Sequence, residues 1–287
     1  MYTGQCGFIA LLDIRKGLYV MRLNILGTGG AAATKCYNTC FALSDGQEYF
    51  LVDTGGGNGI LSILDEENIP LTKIHDVFIT HGHNDHVLGV IWIITMIGQL
   101  MNKKIYEGEL RIFCHAELKK LIVDLCELTL HISITCRFDR RIRFISIEDG
   151  DTYDILNNTV KFFDIHSTKL KQFGFCMTMN NGMRLGFCGD EPLEENAAHN
   201  VDGCDWLIHE AFCLYAEKDV FHPYRRHHST VKDACEIAER LCIRNLILCH
   251  TEDRHIHERK ELYTKEGKNY FSGNLFVPDD RECFEIG

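Results

Sequence analysis

The sequence predicts an α/β or α+β fold in which two β-sheets pack together with helices outside. Three observations carry this expectation. Short apolar runs rich in Val, Ile and Phe recur in both halves of the chain, each ending in Gly, Asp or His. Between them lie stretches with apolar residues three and four apart, the spacing of one helix face. No linker-like run, charge block or repeat interrupts the 287 residues, which hold only four prolines.

Strands are expected at 21–26, 41–43, 49–52, 77–80, 110–114 and 142–147, and again at 159–165, 174–179, 183–188, 206–208 and 246–249. Helices are expected at 57–67, 87–101, 116–127 and 231–241, the last preceded by Ser229 and Thr230 as capping residues. Met21 opens the first strand, so residues 1–20 are expected to be an extension outside the core fold and 21–287 a single domain. The apolar run at 7–12 is broken by Asp13 and followed by Arg15 and Lys16, which is not the order of a signal peptide. The run at 87–101 is too short to span a bilayer and reads as a buried helix.

Fourteen cysteines occur without a C-x-x-C pair. Buried reduced thiols explain them better than a disulfide framework, so the expected location is the cytoplasm. Cys36 and Cys40 leave a third metal site as the alternative reading for one pair. Thirty basic against 41 acidic residues give a formal charge of −11, which disfavours binding nucleic acid through bulk charge. Arg137, Arg140, Arg141 and Arg143 read as solvated surface; Arg225 and Arg226 lie beside a motif described below.

That chemistry begins with Thr80-His81-Gly82-His83-Asn84-Asp85-His86. Three histidines and a carboxylate follow directly on an apolar strand. Alternation at the strand end puts His81 and His83 on one side. The chain then turns into a helix, which lets Asp85 and His86 address a second location. Neutral imidazole and carboxylate suit zinc, with manganese or iron as alternatives. A His-rich surface turn, or ligands for one metal only, would give the same residues; the expectation is two divalent metal ions.

The H-x-H-x-D-H pattern resembles the signature of the metallo-β-lactamase superfamily. That resemblance implies a four-layer αββα sandwich with metals held at one edge, and an early strand-terminal Asp that braces the site, here Asp53 in Leu51-Val52-Asp53-Thr54. It also implies three further ligands in order. His166 would complete the first metal, Asp190 would bridge the pair, and His250 would join Asp85 and His86 on the second. His83, where diiron members carry Glu, implies a hydrolase.

Two more elements are similar to the tRNA 3′-processing endoribonuclease (RNase Z) branch: Glu210 after a strand, and His228-Ser229-Thr230 before a helix. In that branch the carboxylate orients the imidazole toward the scissile phosphate. Leu26 to Gly30, Thr34-Lys35, Asn38 and the stretch from Phe276 to Asp280 also match. The branch's tRNA-gripping arm does not fit, because His166 and Asp190 are only 24 residues apart and two strands with a turn at Asn180-Asn181-Gly182 fill that interval.

The expected activity is therefore phosphodiester hydrolysis on a small phosphodiester or RNA, without a membrane. A hydroxide bridging the metals would attack phosphorus, Asp85 would orient it or take its proton, and His228, set by Glu210, would assist the leaving oxygen. An arm-less tRNA 3′-end endonuclease and a thioesterase- or lactonase-type acyl hydrolase are the alternatives. A homodimer is implied by the branch.

Overall fold

Period-two alternation sorts the strand side chains onto two faces, and here both faces are apolar. In the strand Tyr49–Val52, Phe50 and Val52 face one side and Leu51 the other; Val77 and Phe78, like Ile112 and Phe113, divide the same way. A sheet apolar on both faces must be covered on both. The computed structural model, which describes residues 20–286, covers one face with the second sheet and the other with helices.

The first sheet contains β1 (Met21–Gly27), β2 (Cys40–Ser44), β3 (Tyr49–Val52), β4 (Ile74–Phe78), β5 (Leu110–Cys114) and β6 (Ile142–Ser146). The second contains β7 (Thr152–Ile155), β8 (Asn158–Asp164), β9 (Phe173–Thr178), β10 (Arg184–Phe187), β11 (Trp206–Glu210), β12 (Asn245–Cys249) and β13 (Asn274–Phe276). The last strand, β14 (Cys283–Ile286), returns to the first sheet beside β1. The orders are β14-β1-β2-β3-β4-β5-β6 and β13-β12-β11-β10-β9-β8-β7.

Aromatic rings fill the space between the sheets. Phe41, Phe50, Phe78, Phe175 and Phe187 are buried there, with Phe41 edge-on to Phe187 at 5.0 Å between centroids. Helices Gly59–Glu66, Asn84–Asn102 and Ala116–Thr129 bury Ile60, Ile93, Ile97 and Ile122 on the outer face of the first sheet. Helix Val231–Arg240 buries Val231, Ala234, Cys235 and Ala238 on the outer face of the second. The fold is the αββα sandwich that the metal motif implied.

Several elements differ from the sequence reading. Helix Asn84–Asn102 starts three residues earlier than expected, inside the metal motif, and at 19 residues is long and apolar enough by composition to cross a membrane. Over half of its apolar window is packed in the core instead. Strands β7 and β13 were not expected; both are short sheet edges with few buried residues, so neither leaves an apolar run. Of the expected extension at 1–20, only Val20 lies within the described residues, and it is exposed.

Candidate metal centre

Strands β3 and β4 run parallel, as do β10, β11 and β12, and β8 points the same way as β10 through its antiparallel neighbour β9. Their C-terminal ends therefore share one rim of the sandwich, where chain leaving a strand is free to carry chemistry. Asp53 follows β3, the run from Thr80 to His86 follows β4, and His166, Asp190 and His250 follow β8, β10 and β12.

Two groups of ligating atoms converge at this rim, and a third, Asp190, His228 and His250, overlaps them. His81, His83 and Asp190 form the first and Asp85, His86 and His250 the second; within each, the ligating atoms lie within 4.8 Å of one another. Asp190 reaches both, with Oδ1 3.6 Å from His81 Nε2 and Oδ2 3.7 Å from His86 Nε2 and 3.6 Å from His250 Nε2. Asp85 Oδ2 is 3.4 Å from both His86 Nε2 and His250 Nε2. His166 is not brought into either group. Its side chain is about half exposed, and its Nδ1 lies 4.0 Å from Asp164.

Backbone conformation aims these side chains. Asp53, His166 and His250, one or two residues beyond their strands, have φ of 53°, 59° and 54°, in the left-handed region that residues with a Cβ seldom occupy. Gly189, with φ of 76°, sits immediately before Asp190, where a Cβ would meet the Gln172 side chain at 2.8 Å. The first turn of helix Asn84–Asn102 docks on the loop after β3, Thr54 Oγ1 donating to the His86 carbonyl at 2.9 Å.

A layer of hydrogen bonds holds the ligands from behind. Asp53 Oδ1 accepts from the Thr80 N–H at 2.9 Å, and its Oδ2 lies 2.7 Å from His86 Nδ1. That contact puts a proton on His86 Nδ1 and turns Nε2 to the rim. Asp53 thus braces the site as expected. The sequence did not single out Gln172, which is buried and bridges the two groups: its Nε2 is 2.7 Å from His81 Nδ1 and donates to Asp190 Oδ1 at 2.5 Å. A lone glutamine in a loop carries no motif, so nothing in the sequence marked it.

The second pair also forms. Glu210, fully buried, lies with Oε2 3.4 Å from His228 Nδ1, while its Oε1 accepts the Ser229 N–H. His228 Nδ1 also donates to the Asp190 carbonyl at 2.9 Å, and its ring lies 5.1 Å from that of His250. Phe212 stacks on the other side of His228 at 5.2 Å. Thr230 caps helix Val231–Arg240 in a reciprocal box with Asp233, so capping falls to Thr230 and leaves His228 free to face the rim. His209, adjacent to Glu210, is buried and held by the Glu210 carbonyl and the Leu193 N–H.

The charge balance of the rim calls for cations. Asp53, Asp85 and Asp190 are all buried, and among the described residues their ion-pair partners are histidines, not lysine or arginine. Burial opposes ionisation of Asp85 and Asp190, yet the surrounding imidazoles hold both well below the usual carboxylate range. Burial keeps His81 and His83 neutral, the form that offers a lone pair. His86 is pushed the other way: Asp53 and Asp85 overcome its burial and favour a charged ring, so a proton there stands in for positive charge. His86 Nε2 is buried with no hydrogen-bond partner. An orphaned imidazole nitrogen among two carboxylates and three further imidazoles is the donor set of a divalent metal centre.

Comparison with known proteins agrees. The family model described as anti-Pycsar protein Apyc1 matches residues 21–271. The chain belongs to this family. It is also similar over nearly its whole length to proteins named Ribonuclease Z, at 27% identity to that of Methanocaldococcus jannaschii (94% of this chain, 98% of that one) and 26% to that of Thermococcus sibiricus (93% and 97%). Among solved structures, the metallo-β-lactamase fold protein YhfI of Bacillus subtilis superposes with a TM-score of 0.74 at 18% identity, covering 93% of this chain and all of that one. The short form of human tRNase Z follows at 0.71 and 20%, covering 93% and 99%. The chain is a metallo-hydrolase on the RNase Z-like branch of that fold, with His/Asp clusters suited to divalent metal ions.

Proposed function

We propose that the chain hydrolyses a small phosphodiester, such as a cyclic nucleotide, with two zinc ions. His81, His83, His166 and Asp190 would hold one, and Asp85, His86, His250 and Asp190 the other. His166 would swing in when metal binds. When bound, the ions would lower the pKa of a water molecule and neutralise the phosphate's non-bridging oxygens.

The remaining work falls to side chains of the protein. Asp85 orients the attacking water and accepts its proton. His228, beside His250, donates to the leaving oxygen as the P–O bond breaks, which balances the proton taken by Asp85. Glu210 keeps His228 in that orientation and protonated: burial disfavours the charged ring, but the carboxylate at 3.4 Å raises its pKa above the ordinary histidine value. Arg225 and Arg226, exposed on the loop leading to His228, add positive charge where an anionic substrate would enter.

The Glu210–His228 pair beside Asp190 carries this reading, because an acyl hydrolase of the same fold has no use for it. The small substrate is supported by the interval between His166 and Asp190, which β9, β10 and the turn at Gly182 occupy without an arm. A panel of cyclic nucleotides, precursor tRNA, thioesters and lactones tests the assignment. Turnover of cyclic nucleotides well above the others is expected. The full-length similarity to proteins named Ribonuclease Z favours a second reading, an arm-less tRNA 3′-end endonuclease, which tight, salt-sensitive tRNA binding with cleavage would support instead. Hydrolysis of only thioesters or lactones would discard both.

A further inference from the structure

We propose a third metal site, outside the rim cluster, formed by Glu217, Glu252 and His255 and taking a divalent cation such as zinc. Glu217 ends the short turn Tyr215–Glu217, and Glu252 and His255 lie in the loop that follows His250. Ligating atoms of the three lie within 4.8 Å of one another, with His255 Nε2 3.0 Å from Glu217 Oε1. Cys36 and Cys40, the sequence's own suggestion for an additional site, join no such group among the described residues.

Two acidic side chains and an imidazole are common on surfaces, so burial decides the matter. Glu252 is 7% exposed. Its Oε2 accepts the Arg254 N–H, but its Oε1 is buried with no partner, and so is Glu217 Oε2. A buried carboxylate oxygen without a partner is costly, and two of them on glutamates of one group more so. A proton on His255 would pair with Glu217 and leave Glu252 Oε1 as it was. A divalent cation accepts an oxygen from each glutamate and Nε2 from His255, and solvent on the half-exposed side supplies the remaining ligands. Two oxygens and one nitrogen suit zinc or manganese.

Such an ion would act as a clip. Glu252 N–H donates to the Phe212 carbonyl at 2.8 Å, and Phe212 carries the ring that stacks on His228. Phe221, past Glu217 in the same segment, packs edge-on against Phe212 at 6.0 Å. Joining Glu217 to Glu252 and His255 ties the segment behind His228 to the loop that bears His250.

The test counts metal on the full chain. Wild type, Glu217→Gln and His255→Gln are saturated with Zn²⁺, freed of excess by gel filtration and analysed for zinc per chain. Each variant should carry one equivalent fewer than wild type, whatever number the rim itself retains, which separates this site from the two-metal reading of the rim. Equal stoichiometry in wild type and both variants would overturn the proposal. If neither variant folds by circular dichroism, anomalous diffraction from zinc-soaked wild-type crystals decides it: a peak between Glu217, Glu252 and His255 is expected, and its absence overturns the site.

Discussion

Replacing Glu210 by Gln isolates the pair on which the proposed phosphodiesterase activity rests. The amide matches the carboxylate in shape, so its oxygen can still accept the Ser229 N–H and the buried position stays filled. What changes is the atom opposite His228 Nδ1, now an NH₂ group facing an N–H. The ring loses the carboxylate charge 3.4 Å away, a contact of the order of a hydrogen bond to a charged group, about 1.5–3 kcal/mol. At about 1.4 kcal/mol per decade, kcat should fall about 10- to 150-fold if that contact is realised in the transition state. The assay is hydrolysis of bis(p-nitrophenyl) phosphate and of a cyclic nucleotide at saturating metal, with zinc content measured in parallel. The aryl ester expels a stable phenolate and the cyclic nucleotide a poor alkoxide, so a proton donor matters more for the second. The larger loss should appear with the alkoxide. Because burial lowers and Glu210 raises the His228 pKa, removing the charge should also move the alkaline limb of the rate profile to lower pH, where the protonated ring is lost sooner. An unchanged kcat with both substrates, or losses for Glu210→Gln and His228→Ala that simply multiply, would refute the idea that the two act as one unit.

Other perturbations address the metals and their supports. Asp190→Ala should lower metal content by at least one per chain relative to wild type, because one carboxylate reaches both ligand groups; elemental analysis finding the wild-type content would remove it as the bridge. Gln172→Ala should weaken zinc affinity about 10- to 100-fold in competition with a chromogenic chelator, the range for losing a group that orients a ligand. An unaltered affinity would leave Gln172 a packing residue only. Phe175→Ala removes a fully buried ring touching Phe41, Phe50, Phe78 and Phe187 and should cost about 3–5 kcal/mol in urea unfolding, without changing the metal count of the folded fraction. A cost below about 1 kcal/mol would mean the inter-sheet core can close over the gap.

The layers and the clustering of most candidate ligand residues were legible because both depend on repeating or grouped features. Alternating apolar strands written into both halves leave few arrangements other than two covered sheets, and a run such as Thr80 to His86 concentrates its donors in one turn. What stayed hidden depends on geometry that has no local signature. The start of helix Asn84–Asn102 inside the metal motif was missed because Asn84, Asp85 and His86 look polar in sequence, though two of the three are buried once they line the rim. Gln172, Glu217, Glu252 and His255 come from separate loops and share no spacing. The family resemblance also placed His166, at the end of its strand, beside His81 and His83, whereas its side chain here is about half exposed.

That difference follows from what each histidine has to satisfy. His81 and His86 have buried rings held from behind at Nδ1, by Gln172 and by Asp53, so hydrogen bonds outside the ligand groups set their orientation. The His250 ring is buried between those of His86 and His228, at 5.5 and 5.1 Å, with its Nε2 3.4 Å from Asp85 Oδ2. His166 has no such support; its backbone N–H is taken by Asp164, and its ring meets only that carboxylate at 4.0 Å. A side chain held by nothing but the metal should respond to metal most. His166 should therefore show the largest chemical-shift change of the rim histidines on zinc titration, and His166→Ala should weaken one of two binding steps while leaving the other, that of Asp85, His86 and His250, unchanged. If both steps weakened equally, or His166 resonances stayed still, the division of the rim into two separately built halves sharing Asp190 would be wrong.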